Sequence, residues 1–276
     1  RLVGSEMCIR DRLKAGDKDS EGNAIMHSFW APEIHEIDGR LTILFMAGYG
    51  NTWSNGKSVY MQLKQDADGH DLDPADPDNW TVPTPIYRND ASLLNGNKQL
   101  AATASGGVGM SLDMTYFQDA DGRSYYAWQQ LGATYIATMD PKDPAHVTSS
   151  PVRIVTPEYA WNAAIAEGPN VTLRDGKLYL MFSGSGVGKT YTTGLAVADA
   201  SGTDLTDPAS WTVLNYPIQK SGPFNGEMQL GTGHGMWSED EDGNQIYVFH
   251  AYATKNLGSV NAAGRDMFVR LSLIHI

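Results

Sequence analysis

A single cysteine, Cys8, stands among 276 residues, which excludes an internal disulfide and any cysteine-rich zinc site. Basic residues are scarce, 20 Lys and Arg against 32 Asp and Glu, leaving a formal net charge of −12. A surface of that sign argues against nucleic acid as a partner, because phosphates need neutralising cations. No apolar run reaches membrane-spanning length, so no membrane partner is expected, and no signal peptide is recognisable. Convincing 3.6-residue periodicity is also missing, which leaves helix a minor part of the fold.

Turn residues and β-formers are plentiful. The 29 glycines and 13 prolines are dispersed rather than gathered into a linker, and segments rich in Val, Ile, Tyr, Phe and Trp lie between them. Asp38-Gly39, Asp121-Gly122, Asp175-Gly176 and Asp242-Gly243 each precede such a segment. Asp-Gly is a preferred pair for a two-residue hairpin, whose central positions both need φ > 0. These turns are 83, 54 and 67 residues apart. Hairpins recurring at that spacing predict an all-β fold of radially arranged, four-stranded blades.

Counting eight residues back from the turn aspartate reaches Asp113, Glu167 and His234, with Trp30 in the remaining unit and Glu33 three residues after it. Three titratable side chains at one structural address are expected to converge near one axis. A second repeat, Asp76-Pro-Asp-Asn-Trp-Thr81, Asp143-Pro-Ala-His-Val-Thr148 and Asp207-Pro-Ala-Ser-Trp-Thr212, makes Trp80, Val147 and Trp211 packing residues of blade edges. Residues 13–29 read as a loop. Ser183-Gly-Ser-Gly-Val-Gly-Lys-Thr190 imitates a phosphate-binding loop, but Ser183 replaces its first glycine and a strand-like run follows where a helix is needed.

Two carboxylates entering from different blades suit glycoside hydrolysis, in which one protonates the leaving oxygen and the other activates water or attacks directly. Glu167, between Ala166 and Gly168-Pro169, has few local charges to hold it ionised and is the candidate acid. Asp113 would repel a second negative charge and keep Glu167 protonated. His234, set among glycines, is placed to bond substrate or a central hydrated cation. The indoles of Trp30, Trp53, Trp128, Trp161 and Trp237 are candidates to stack on sugar rings, with core packing the alternative for each.

Trp30-Ala-Pro-Glu-Ile-His, Ser111-Leu-Asp-Met-Thr, Glu167-Gly-Pro and Gly231-Thr-Gly-His together resemble the successive blade motifs of glycoside hydrolase family 43, over roughly residues 24–270. The resemblance implies a five-bladed β-propeller and inverting hydrolysis of arabinose- or xylose-containing polysaccharides. It implies a general base, a general acid matched by Glu167, and a pKa-tuning aspartate matched by Asp113. His234 matches a histidine near the axis, often beside calcium; Trp30 matches a cleft tryptophan and Arg265 a late arginine. No cofactor is implied beyond that possible Ca2+. The long Trp-Ala-Pro-Glu and Ser-Leu-Asp-Met-Thr forms look most like α-L-arabinofuranosidases, with β-xylosidase and a non-catalytic carbohydrate-binding propeller as the alternatives.

The family's base is an aspartate, usually before proline, upstream of the Trp-Ala-Pro-Glu motif. Asp17 and Asp19 are the nearest candidates, and neither precedes proline or an apolar strand. The base and most of the first blade are therefore expected upstream of residue 13, which makes this chain by itself inactive. Residues 1–12 and 271–276 resemble translated sequencing adapter, leaving 13–270 as the catalytic propeller, blades two to five.

Overall fold

The computed structural model describes residues 13–51, 55–94, 110–224, 226–253 and 265–271. Four successive sheets fill that chain. The first runs β1 (Ile25–Ile37), β2 (Arg40–Tyr49), β3 (Gly56–Gln62) and β4 (Thr84–Pro85). The second is ordered β5 (Tyr87–Arg88), β9 (Asp143–Val147), β8 (Ala133–Asp140), β7 (Ser124–Gln130) and β6 (Leu112–Gln118), with β10 (Val152–Val155) also on β8. The third holds β11 (Ala166–Arg174), β12 (Lys177–Gly184), β13 (Thr192–Asp199) and β14 (Thr212–Val213). The fourth holds β15 (Gly222–Phe224), β16 (Glu227–Glu239), β17 (Gln245–Ala253) and β18 (Asp266–Leu271). Neighbouring strands are antiparallel except β5 with β9.

The all-β expectation holds, and so does the blade-like sheet as its unit. Among the described residues there are four such sheets, and the helical turns are short 3-10 turns at Pro77–Asn79, Ala160–Asn162 and Pro208–Ser210. The chain divides into two compact units. The first takes the described residues up to Tyr116 with Ser124–Leu131 and Ala137–Pro151; the second takes Phe117–Arg123, Gly132–Ile136 and the chain from Val152. In the first unit Ile25, Ile43, Phe45, Val59, Met61 and Trp80 share one core; in the second Met181, Tyr247, Phe249 and Ala251 form another.

Middle strands are buried more continuously than alternation predicts. Every residue of β7 is buried, as are the last eight of β2. A strand covered on both faces favours apolar side chains at successive positions. Strand β1 already starts at Ile25, so the loop expected over 13–29 is shorter than predicted.

The four Asp-Gly turns are of two kinds. Asp38-Gly39 and Asp175-Gly176 are two-residue hairpins, with φ of 52° and 69° in one and 50° and 74° in the other. Around Asp121-Gly122 and Asp242-Gly243 only the glycine is left-handed, at 79° and 77°. There the loop is five residues, Asp119–Arg123 and Asp240–Asn244, organised by the earlier aspartate. Asp119 Oδ1 accepts from the N–H groups of Asp121 and Arg123, and Asp240 Oδ1 from those of Asp242 and Asn244. Asp19–Asn23 and Asp66–His70 repeat the pattern. The pattern D-x-D/E-G-x, with its first aspartate acting as an Asx cap, was present in the sequence at all four places.

The Asp-Pro repeat also splits. Asp76 and Asp207 cap 3-10 turns, and the Trp80 and Trp211 indoles donate to the Pro74 and Leu205 carbonyls. Asp143-Pro-Ala-His-Val147 is a strand instead. Trp80, Val147 and Trp211 are all buried, as packing residues should be.

Asp119 also receives Arg123 Nε at 2.7 Å, and its carboxylate is 1% exposed. Removing it strands two loop N–H groups, so Asp119→Ala should cost about 2–3 kcal/mol in urea denaturation, whereas Asp38→Ala, in a turn without this cap, should cost well under half as much. Equal losses would show that Asp119 does not organise its loop.

Candidate active site

A regular strand sends alternate side chains to opposite faces, so a polar group is re-aimed only where the pleat is broken. Trp30, Glu167 and His234 each sit at such a break. Between Glu167 and Asn170, β11 spends one residue more than β12, with Gly168 at φ 58° and Pro169 after it. Between Gly233 and Met236, β16 has the same surplus against β17, with His234 at φ 48°. On β1 the surplus lies between Trp30 and Glu33, with Ala31 at φ 50°. Asp113 on β6 has φ 57°.

The single address counted from the turns is therefore two addresses. Trp30 and Glu167 precede the left-handed residue, whereas Asp113 and His234 are that residue. The cause is turn length: the first pair stands on two-residue hairpins and the second on five-residue loops.

In the second unit the structure brings Glu167, His234 and Arg265 into one connected group. Ser183, paired with Glu167 across β11 and β12, accepts the His234 N–H at 2.7 Å, tying the two bulges together. A Cβ on Gly168 would lie 3.3 Å from His234 Nδ1, so the imidazole sits over the bulge. Glu167 is 7% exposed, and the Tyr191 hydroxyl donates to its Oε1 at 2.6 Å. The Tyr191 ring, itself buried, stacks on His250 at 5.7 Å between centroids, and His250 stacks on His234 at 6.2 Å. Arg265 Nη1 lies 2.7 Å from His250 Nε2.

Guanidinium only donates, so His250 Nε2 accepts and the ring proton belongs on Nδ1. Burial first, then the Arg265 charge and His234, push the His250 pKa down to about 3. His250 is thus a neutral ring wedged between Tyr191 and His234. Sequence reasoning missed both Tyr191 and His250. Tyr191 directly follows the imitation phosphate loop, and His250 lies within the strand β17; only their shared contacts single them out.

The glycines around His234 serve protein packing rather than ligand approach. A Cβ on Gly231 would lie 1.9 Å from the Gly188 carbonyl oxygen, one on Gly233 2.3 Å from the Tyr191 ring, and one on Gly235 2.1 Å from Tyr247. The segment at 185–190 thus folds against β16, and strand β13 follows it, as the sequence predicted against nucleotide binding. The residues described around His234 supply few direct ligands for calcium, so an ion there would be held mainly through its own water shell. They offer imidazole and one carboxylate, whereas calcium takes six to eight oxygens. The one ligand-like cluster among the described residues, Asp66, Asp68 and His70, is exposed and bonded within its own Asx loop.

In the first unit Asp113 is 6% exposed and Trp30 is 45% exposed, leaving that indole an open face. Glu33 is 8% exposed, with His35 Nε2 2.8 Å from its carboxylate. Lys57, also missed from sequence, is buried on β3, and burial lowers its pKa to about 8. Trp128 corrects an expectation. It is 0% exposed and its indole donates to Gln130 Oε1, so it presents no face to a sugar. Trp237 donates to the Tyr179 carbonyl and packs on the second unit's core. Trp161 stacks with Tyr159 and Phe182. Trp53 lies outside the described residues.

The family model described as Glycosyl hydrolases family 43 matches residues 10–271. An extracellular exo-alpha-(1->5)-L-arabinofuranosidase of Streptomyces avermitilis is 29% identical over 80% of this chain and 42% of its own length. Its namesake from Streptomyces chartreusis is 28% identical over 83% of this chain and 64% of its own. The chain thus spans less than two thirds of the curated relatives it matches. The crystal structure of an alpha-L-arabinofuranosidase from Lactobacillus brevis superposes with a TM-score of 0.70 at 24% identity, covering 90% of this chain and 77% of that one. A xylan beta-1,4-xylosidase from Bacillus halodurans reaches 0.61 at 15% identity, over 98% of this chain and 45% of its own. At these identities the structural likeness shows the fold.

A histidine whose folded pKa is depressed binds fewer protons folded than unfolded. Its contribution to stability is complete above about pH 6.5 and is lost as pH falls through about 3. Acid titration of the melting transition should show this His250-dependent loss below about pH 6.5, at up to ~1.4 kcal/mol per pH unit, and His250→Asn should flatten it. A slope unchanged in His250→Asn would place the acid sensitivity elsewhere.

Proposed function

The chain belongs to glycosyl hydrolases family 43, and from that membership we propose that it acts on arabinose-containing plant polysaccharides or oligosaccharides as an inverting α-L-arabinofuranosidase. The observation that carries the site assignment is a buried Glu167 re-aimed by a bulge and bonded by Tyr191. A carboxyl out of water resists ionisation and so keeps a proton to give. The phenol bond then steadies the carboxylate left after that proton is given. Glu167 is the general acid toward the glycosidic oxygen, and Asp113 is the carboxylate that tunes it. Trp30, with its exposed face, stacks on sugar, and His234 and Arg265 bond hydroxyls. The names of the Streptomyces relatives favour arabinofuranose.

The same reading takes the four sheets as blades two to five of a five-bladed propeller. Neither Asp17 nor Asp19 serves this reading as the general base. Asp17 accepts the Lys14 N–H, and Asp19 accepts two loop N–H groups and the Tyr49 hydroxyl, so both candidates are committed to local structure. Xylose is the rival sugar, and the xylosidase likeness in fold keeps it in view.

Expected outcomes are specific. The 276-residue chain alone should not turn over an aryl arabinofuranoside, whereas a version extended by its natural upstream segment should. In that version Glu167→Ala should lose ~10²–10⁴-fold on substrates with poor leaving groups and far less on activated aryl glycosides. Asp113→Asn, by removing a like charge, should move the alkaline limb of kcat/KM to lower pH. Sugar binding without turnover in the extended version would favour a non-catalytic carbohydrate-binding propeller, and uniform losses across leaving groups would remove Glu167 from the acid role.

A further inference from the structure

The carboxyl of Glu167 is held by a group on a different strand segment, and that group is itself held. Tyr191 sits just before β13, its ring between the backbone of Gly233 and the face of His250. A side chain at Gly233 would overlap the ring at 2.3 Å, so the glycine exists to admit it. His250 is fixed from its far edge by Arg265. From these contacts we infer that Tyr191 is a positioning residue for Glu167: its phenol holds Oε1, and the His250–Arg265 pair keeps the phenol in place. This rests on the reading of Glu167 as a proton donor and adds a hydroxyl that orients its carboxyl and bears on its acidity.

The direction follows from which form the bond favours. A donor to a carboxylate stabilises the ionised form, opposing the effect of burial. The titratable groups on the elements packed against β11 are few. Strand β12 offers Lys177 and Tyr179, and β16 offers Glu227, His234 and Glu239. Lys177 is paired with Asp199 at the hairpin end, and Glu227 and Glu239 are the two ends of β16. Besides Asp113, which the proposed mechanism already assigns, the group closest to the bulge on these elements is His234, with Tyr191, His250 and Arg265 behind it. Of the last four, Tyr191 bonds Glu167 through a hydroxyl that can be deleted without removing a ring.

The test reads the carboxyl itself and needs no turnover. Infrared difference spectra of the 276-residue chain are titrated with pH, and the band lost in Glu167→Gln identifies the Glu167 carboxyl. Tyr191→Phe keeps the stack and removes the donor, so the Glu167 midpoint should rise by about 1 pH unit or more, as expected for a hydrogen bond to a charged group. Replacing Tyr191 with 3-fluorotyrosine, a stronger donor, should lower it. A midpoint that stays put in both proteins, with their melting temperatures unchanged, overturns the inference. If Tyr191→Phe does not fold, the 3-fluorotyrosine protein alone decides by whether its midpoint falls or stays. The functional reading fails separately: a shifted midpoint in a chain whose extended version neither binds nor cleaves arabinosides would keep the positioning role and discard the glycosidase.

Discussion

Everything at the site depends on interrupting the pleat of a strand. A regular strand offers its side chains only two directions, one to each face. One surplus residue in a left-handed conformation gives a third direction. Glycine takes that conformation freely at 168, but Ala31, Asp113 and His234 also adopt it, at a cost of about 1–3 kcal/mol each. Such strain persists only where surroundings over-determine it. At His234 they do: its N–H is tied to Ser183, its ring lies over Gly168, and glycines on either side admit Tyr191 and Tyr247.

In the second unit's site the His250 ring between Arg265 and Tyr191 stays neutral because burial and the guanidinium both oppose its protonation. In surroundings of low dielectric a single phenol bond to a carboxyl counts for more than it would in water. A chain with an acidic excess overall thus builds a local region in which a phenol hydroxyl bonds a buried carboxyl.

Much of this was legible in the residues. Asp-Gly turns at long intervals announced repeated hairpins, and Asp113, Glu167 and His234 were found by counting back from them. The count was right to within one residue and wrong in its equivalences, because it assumed one turn length. The missing signal was the earlier aspartate of each five-residue loop, Asp119 and Asp240, which spacing from the glycine alone does not weigh. Trp128 shows the opposite failure. An indole in a strand reads the same whether its face is open or sealed, and only burial separated it from Trp30.

By itself the sequence determined the class of fold, the strand order within each hairpin, and which carboxylates stand at strand heads, because these follow from local turn chemistry and hydrophobic pattern. Tertiary structure alone decided that Glu167 meets Tyr191, that His250 is a neutral spacer held by Arg265, and that the glycines near His234 make room for rings. Those facts join residues 12 to 59 positions apart. Contacts across such spans are set by how the sheets fill space, and no periodicity along the chain encodes them.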